Sequence, residues 1–160
     1  MDDRSVRARN PSLLLDAWLE AYSFNRHEVV RGRMPVRSGP THLGDLSRGL
    51  RSLGAEHSVT GLAAAWLHTR FAEFRLVTVF LSKRMSSRNL SEIGFVETQS
   101  GANTWLVLPA DDSVFWQSAT KEGIPVVHPV QAYLDLKDHP ERASEAAEEL
   151  RRTVLDLSLE

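Results

Sequence analysis

The chain has 160 residues, 42% of them hydrophobic and 25% charged, which suits one globular domain with a sizeable core. It has no cysteine, which excludes disulfides, thiolate zinc sites and a cysteine nucleophile. The net charge of −2 hides an asymmetry: residues 1–88 carry 14 basic and 8 acidic side chains, and residues 89–160 carry 5 and 13. Either the two halves face each other in the fold, or each presents a surface to a partner of opposite charge. Asp16 and Glu20 interrupt the only apolar stretch near the N-terminus, so it does not read as a secretory signal. The longest apolar run, 62–67, is too short to span a bilayer. A cytoplasmic location without membrane contact is the expectation.

In chain order, residues 1–9, with Arg4, Arg7 and Arg9, read as a disordered tail. Asn10 before Pro11 starts a helix to about Tyr22, with Leu14, Leu15, Trp18, Leu19 and Tyr22 on one face. Residues 27–34 alternate as a strand, with His27, Val29, Arg31 and Arg33 on one side and Glu28, Val30, Gly32 and Met34 on the other. Arg26, Arg31, Arg33 and Arg37 make this the most basic part of the chain. It is either a phosphate-contacting patch or a solvated edge strand protected by charge. After Gly39 and Pro40, Thr41 is placed to cap a helix with Leu43, Leu46, Leu50 and Leu53 inward, ended by Gly54.

The segment HSVTG is a short strand turning into a helix to about Arg70. Thr60 and Gly61 there either cradle an anion or allow close packing. Residues 75–81 are apolar on both faces and predict a central strand. A single helical turn is expected over 89–93. Residues 95–99 and 104–108 flank a turn at Asn103 and read as a hairpin. Asp111 and Asp112 mark a further turn. The stretch from Gly123 combines a β-branched strand containing Pro125 with two proline-initiated helices, one from Pro129 and one from Glu141 to about Val154. Gln131 and Asp135 lie four apart on the first helix. With Tyr133 and Arg142 they form either a polar site at the helix corner or the ties that hold the two helices together.

The six histidines have no metal-binding spacing, and nothing points to a cofactor. No nucleophile elbow or phosphate-binding loop is present, and the central strand carries no carboxylate of the kind a nuclease would use. No helix-turn-helix is convincing. These readings predict one α+β domain: a mixed central sheet, packed helices, and a C-terminal helix pair at one edge.

Four stretches carry a resemblance that goes further: NPSLLLDAWLEAY, HSVTGLAAAWLHTRFAEFRLVTVFL, GFVETQSGANTWLVLPADDSVF and HPVQAYLDLKDHPERASEAAEELRR. Together they resemble the AbiEi antitoxins of type IV toxin–antitoxin systems, in the transcriptional-regulator-like branch, over residues 10–156. The last stretch is the most specific. The resemblance implies a bacterial antitoxin opposing an AbiEii-like nucleotidyltransferase toxin, often directed at tRNA, within an abortive-infection or phage-defence system. Family members typically carry an N-terminal winged helix, which these residues do not resemble, so the chain reads as the antitoxin domain alone. The matched motifs single out Gln131, Tyr133, Asp135 and Arg142, with Thr60 and Asn103, as a neutralising surface that acts without catalysis. The alternatives are a nucleic-acid-binding regulator using Arg26, Arg31, Arg33 and Arg37 on tRNA or DNA, and a degenerate nuclease-like domain.

Overall fold

The computed structural model describes residues 9–35 and 38–155. Residues 1–8 of the tail expected over 1–9 lie outside the described residues, as do Arg37 and residue 156.

Among the described residues, seven strands form one mixed sheet in the order β4-β1-β5-β3-β2-β7-β6. They are β1 (Glu28–Arg33), β2 (His57–Thr60), β3 (Val77–Leu81), β4 (Val96–Glu97), β5 (Thr104–Leu108), β6 (Ala119–Lys121) and β7 (Ile124–Val126). The helices are α1 (Pro11–Ala21), α2 (Gly39–Ser52), α3 (Gly61–Thr69), α4 (Ser87–Glu92), α5 (Pro129–Leu136) and α6 (Ala143–Leu150). β3 is central and wholly buried, as its two-sided apolar pattern requires. It runs parallel to β5 and antiparallel to β2.

Register sorts the side chains onto two faces. Thr60, Thr78, Phe80 and Trp105 share one face, where the rings of Phe24, His27 and His139 pack. His57 and Thr104 lie on the other face, which α2 covers. There the Ser47 hydroxyl is 2.8 Å from His57 Nε2, and Thr104 Oγ1 is 2.8 Å from His42 Nε2. His42 is fully buried and its Nδ1 has no partner. The helix pair α5 and α6 packs on α3.

Several expectations are corrected. The 95–108 hairpin does not form: β4 and β5 pair with opposite sides of β1. The turn between them therefore spans a whole strand, and Gly101, not Asn103, takes the left-handed backbone (φ +68°). β1 is accordingly not the edge strand; β4 lies outside it. β7 is covered in turn by β6 through a two-residue turn at Glu122 and Gly123, both with positive φ. Helix α2 is capped by Ser38, whose hydroxyl accepts from the Thr41 amide, one turn earlier than Thr41 itself would allow. Helix α1 buries Leu15 and Tyr22 but exposes Leu14 (55%) and Trp18 (56%), so only part of its apolar face is inward. The last helix starts at Ala143 because Glu141 is left-handed (φ +62°), and a π turn at Arg151–Leu155 carries Val154 outward.

Candidate functional site

Proline and histidine set the geometry of α5. Pro129 occupies the first helical position, and His128 Nδ1 accepts from the Val130 amide at 3.1 Å, which closes the N-terminus. Five consecutive residues, Ala132 to Leu136, are then buried, because the helix lies between α3, α6 and the end of α1. Asp135 is among them, with no exposed surface. Gln131 and Asp135 share one face of the helix, as their spacing requires, and that face is turned towards Tyr22 and Thr60.

A buried carboxylate requires donors. Asp135 receives three, and they come from distant parts of the chain. The Tyr22 hydroxyl at the end of α1 donates to Oδ1. The Thr60 hydroxyl at the end of β2 donates to Oδ2 at 2.5 Å. Gln131 Nε2 donates to Oδ1 at 3.1 Å from one turn earlier on α5. Tyr22 is held in turn by His27, 3.0 Å from its hydroxyl. The Ala110 amide donates to His27 Nδ1 at 3.0 Å, so the ring proton sits on Nε2 and points at Tyr22. The chain of donors thus runs His27 to Tyr22 to Asp135.

Burial pushes the Asp135 carboxyl up to about 7, against the pull of its three donors. Burial and the adjacent carboxylate both raise the Tyr22 phenol, which stays protonated. Burial lowers His27 to about 4, and does the same to His139. His139 donates through Nδ1 to the Asp135 carbonyl at 2.6 Å and accepts from Thr78 through Nε2 at 2.8 Å. Its ring fills the space above Gly61, where an added Cβ would lie 2.7 Å from Nε2. Gly61 also has φ +62°, so the turn expected to choose between anion and packing is filled by a side chain of the protein.

Beyond Asp135, the same segment grips the N-terminal part of the chain. Lys137 Nζ donates to the carbonyls of Leu19 (2.7 Å), Glu20 (3.3 Å) and Tyr22 (3.0 Å), closing the C-terminus of α1. Asp138 accepts from the Phe24 amide at 2.9 Å. The structure therefore brings Thr60, Gln131 and Asp135 together and adds Tyr22, His27 and His139. Tyr22 and His27 come from more than 100 residues earlier, and no local pattern marks them; His139 lies four residues beyond Asp135.

The remaining candidates lie elsewhere. The Tyr133 hydroxyl accepts from Arg151, which also pairs with Asp16, tying the chain's end to α1. Arg142 is exposed, pairs with Glu145 and lies over the Phe71 ring. Asn103 bonds the amide and the carbonyl of Met34 (2.9 and 2.8 Å), and it lines a cleft of about 440 Å³ with Arg33, Ser38, Arg75 and Glu141. Arg26 sits over Tyr22 and 3.9 Å from Asp111; Arg31 sits over Trp105. The described residues contain no cluster of three or more histidines and carboxylates able to hold a metal ion.

The family model for the AbiEi antitoxin of type IV toxin–antitoxin systems, described as a transcriptional regulator, matches residues 7–156. The chain belongs to the AbiEi antitoxin family. The match spans every described element, including the α5 segment that carried the resemblance. No curated protein and no solved structure matches the chain significantly. A type IV antitoxin implies a toxin as its counterpart. Among the described residues, no helix is long and apolar enough to cross a membrane.

Proposed function

We propose that this AbiEi antitoxin neutralises a nucleotidyltransferase toxin of the AbiEii kind by presenting a surface, not by catalysis. The family match over residues 7–156 carries the reading. The chemistry around Asp135 supports it. A general base needs a free lone pair within reach of a substrate proton. Asp135 has no exposed surface, and protein donors occupy both of its oxygens. Thr60, Gln131 and Asp135 then serve neutralisation indirectly, by fixing α1 and α5, while Arg142 offers an exposed side chain. The test is growth of a host expressing such a toxin, with and without this chain. Rescue is expected; toxicity unchanged by a folded chain would overturn the proposal.

A second reading, a regulator that contacts tRNA or DNA, is favoured by one observation. Among the described residues, Arg31 and Arg33 have no carboxylate partner. It requires binding that weakens steeply as salt is raised. Salt-independent binding, or none at low salt, would reject it.

A further inference from the structure

The margin of the sheet at β1 is unfinished. β4 pairs only with Gly32 and Arg33, and the Thr98 amide adds one bond to the Arg31 carbonyl at 3.0 Å. The Asn103 amide bonds Gly32 from the β5 side, so main-chain groups alternate in direction and those of Val29 face the same side as Arg31. No strand among the described residues reaches Val29 there. An unpaired margin of this kind is a template for another strand.

Both faces beside this margin are prepared unequally. On the Val30 side lies a cleft of about 490 Å³ with an apolar floor of Val30, Leu106 and Leu108 and walls of Met85, Leu90 and Phe95; Arg84 and Glu97 also line it. Val96, 64% exposed, is the register partner of Arg33 and so lies on the opposite face, beside the arginines. On the opposite side, Arg31, over the Trp105 ring, and Arg33 have no carboxylate partner among the described residues. A strand alternates its side chains between faces. A strand laid along Val29 would therefore place one set against the cleft and the other beside the arginines. A second copy of this chain fits badly, because paired β1 margins would bring the arginines of both copies together.

Resting on the antitoxin reading, we propose that this margin takes up an extended segment of the toxin, in which apolar and acidic residues alternate. Main-chain bonds at Val29 supply the register, the cleft selects apolar side chains, and Arg31 and Arg33 select carboxylates.

The test uses the full chain and an octapeptide of alternating valine and glutamate. The control has the same composition in two blocks. Binding is read by fluorescence anisotropy, and exchange of the Val29 amide is followed in the complex. The alternating peptide is expected to bind about ten-fold more tightly than the control and to slow exchange at Val29. Met85→Glu in the cleft wall, and Arg31→Glu with Arg33→Glu, should each weaken binding about ten-fold in chains that still unfold cooperatively. Equal binding of the two peptides, or no protection at Val29, overturns the proposal. So does displacement of the peptide by tRNA with binding indifferent to Met85→Glu, which would assign the arginines to nucleic acid. Concentration-dependent dimerisation that protects Val29 without peptide would assign the margin to a second copy. Growth rescue separates the two readings. Rescue without peptide binding removes the margin and leaves the antitoxin; peptide binding without rescue does the reverse.

Discussion

Around Asp135 the polar groups that folding removes from water find hydrogen-bond partners inside the protein; along β1, among the described residues, no strand reaches Val29 on its outer side and no carboxylate meets Arg31 or Arg33. The first region joins α1, β2 and α5 through side chains separated by up to 113 residues in sequence. The second has a strand only partly covered by its outer neighbour. The contrast separates a part of the molecule whose polar groups are satisfied within the fold from the margin where the docking proposal lies. Both lie within the family match, so membership alone does not distinguish them.

The comparison is broken most severely at its closed end. Asp135→Ala leaves the Tyr22, Thr60 and Gln131 donors without their acceptor, and a loss of about 3 kcal/mol in denaturant unfolding is expected. Gly61→Ala follows, at about 2 kcal/mol. Its Cβ meets the His139 ring, and its backbone must hold a positive φ. Thr60→Val removes one donor at similar volume and should cost about 1 kcal/mol. At the open end, Arg31→Glu with Arg33→Glu should leave stability within about 0.5 kcal/mol.

Acid sharpens the same distinction. All six histidines are held below their ordinary range, burial being the main cause in each. A histidine at about 4 in the fold and 6.5 unfolded binds more protons when unfolded, so its contribution is present above 6.5 and is lost as pH falls towards 4. Asp135 works the other way. Its carboxyl, raised to about 7 from 3.8, binds its proton more readily in the fold and favours the fold as pH falls through that window. Six groups oppose one, so the melting temperature should drop between pH 6.5 and 4. Asp135→Asn should steepen that drop by removing the one opposing group.

Local pattern read the faces of the elements well. The alternation of β1, the buried run of β3, and the proline starts of α1 and α5 all appear as expected. What it could not read was adjacency. Residues 95–108 had the spacing of a hairpin, yet β1 enters between the two strands, because pairing depends on contacts some 70 residues away. The four-residue spacing of Gln131 and Asp135 left open a polar site or a set of helix ties, and only the folded chain shows α1 and β2 closing over Asp135. Lys137, which no sequence pattern singled out, caps a helix more than 100 residues earlier. The polar cluster was thus half legible: its α5 members were singled out, while Tyr22, His27 and His139 emerged only once the chain was folded.

The most direct test of the central claim is growth of a toxin-expressing host under three forms of the chain, each with its melting temperature measured. They are the wild type, Thr60→Val, and Arg31→Glu with Arg33→Glu. The account predicts rescue by the wild type, rescue by Thr60→Val at a temperature where it remains folded, and loss of rescue by the arginine variant despite unchanged melting. Full rescue by the arginine variant, with loss in a folded Thr60→Val chain, would contradict it and place neutralisation at the buried cluster.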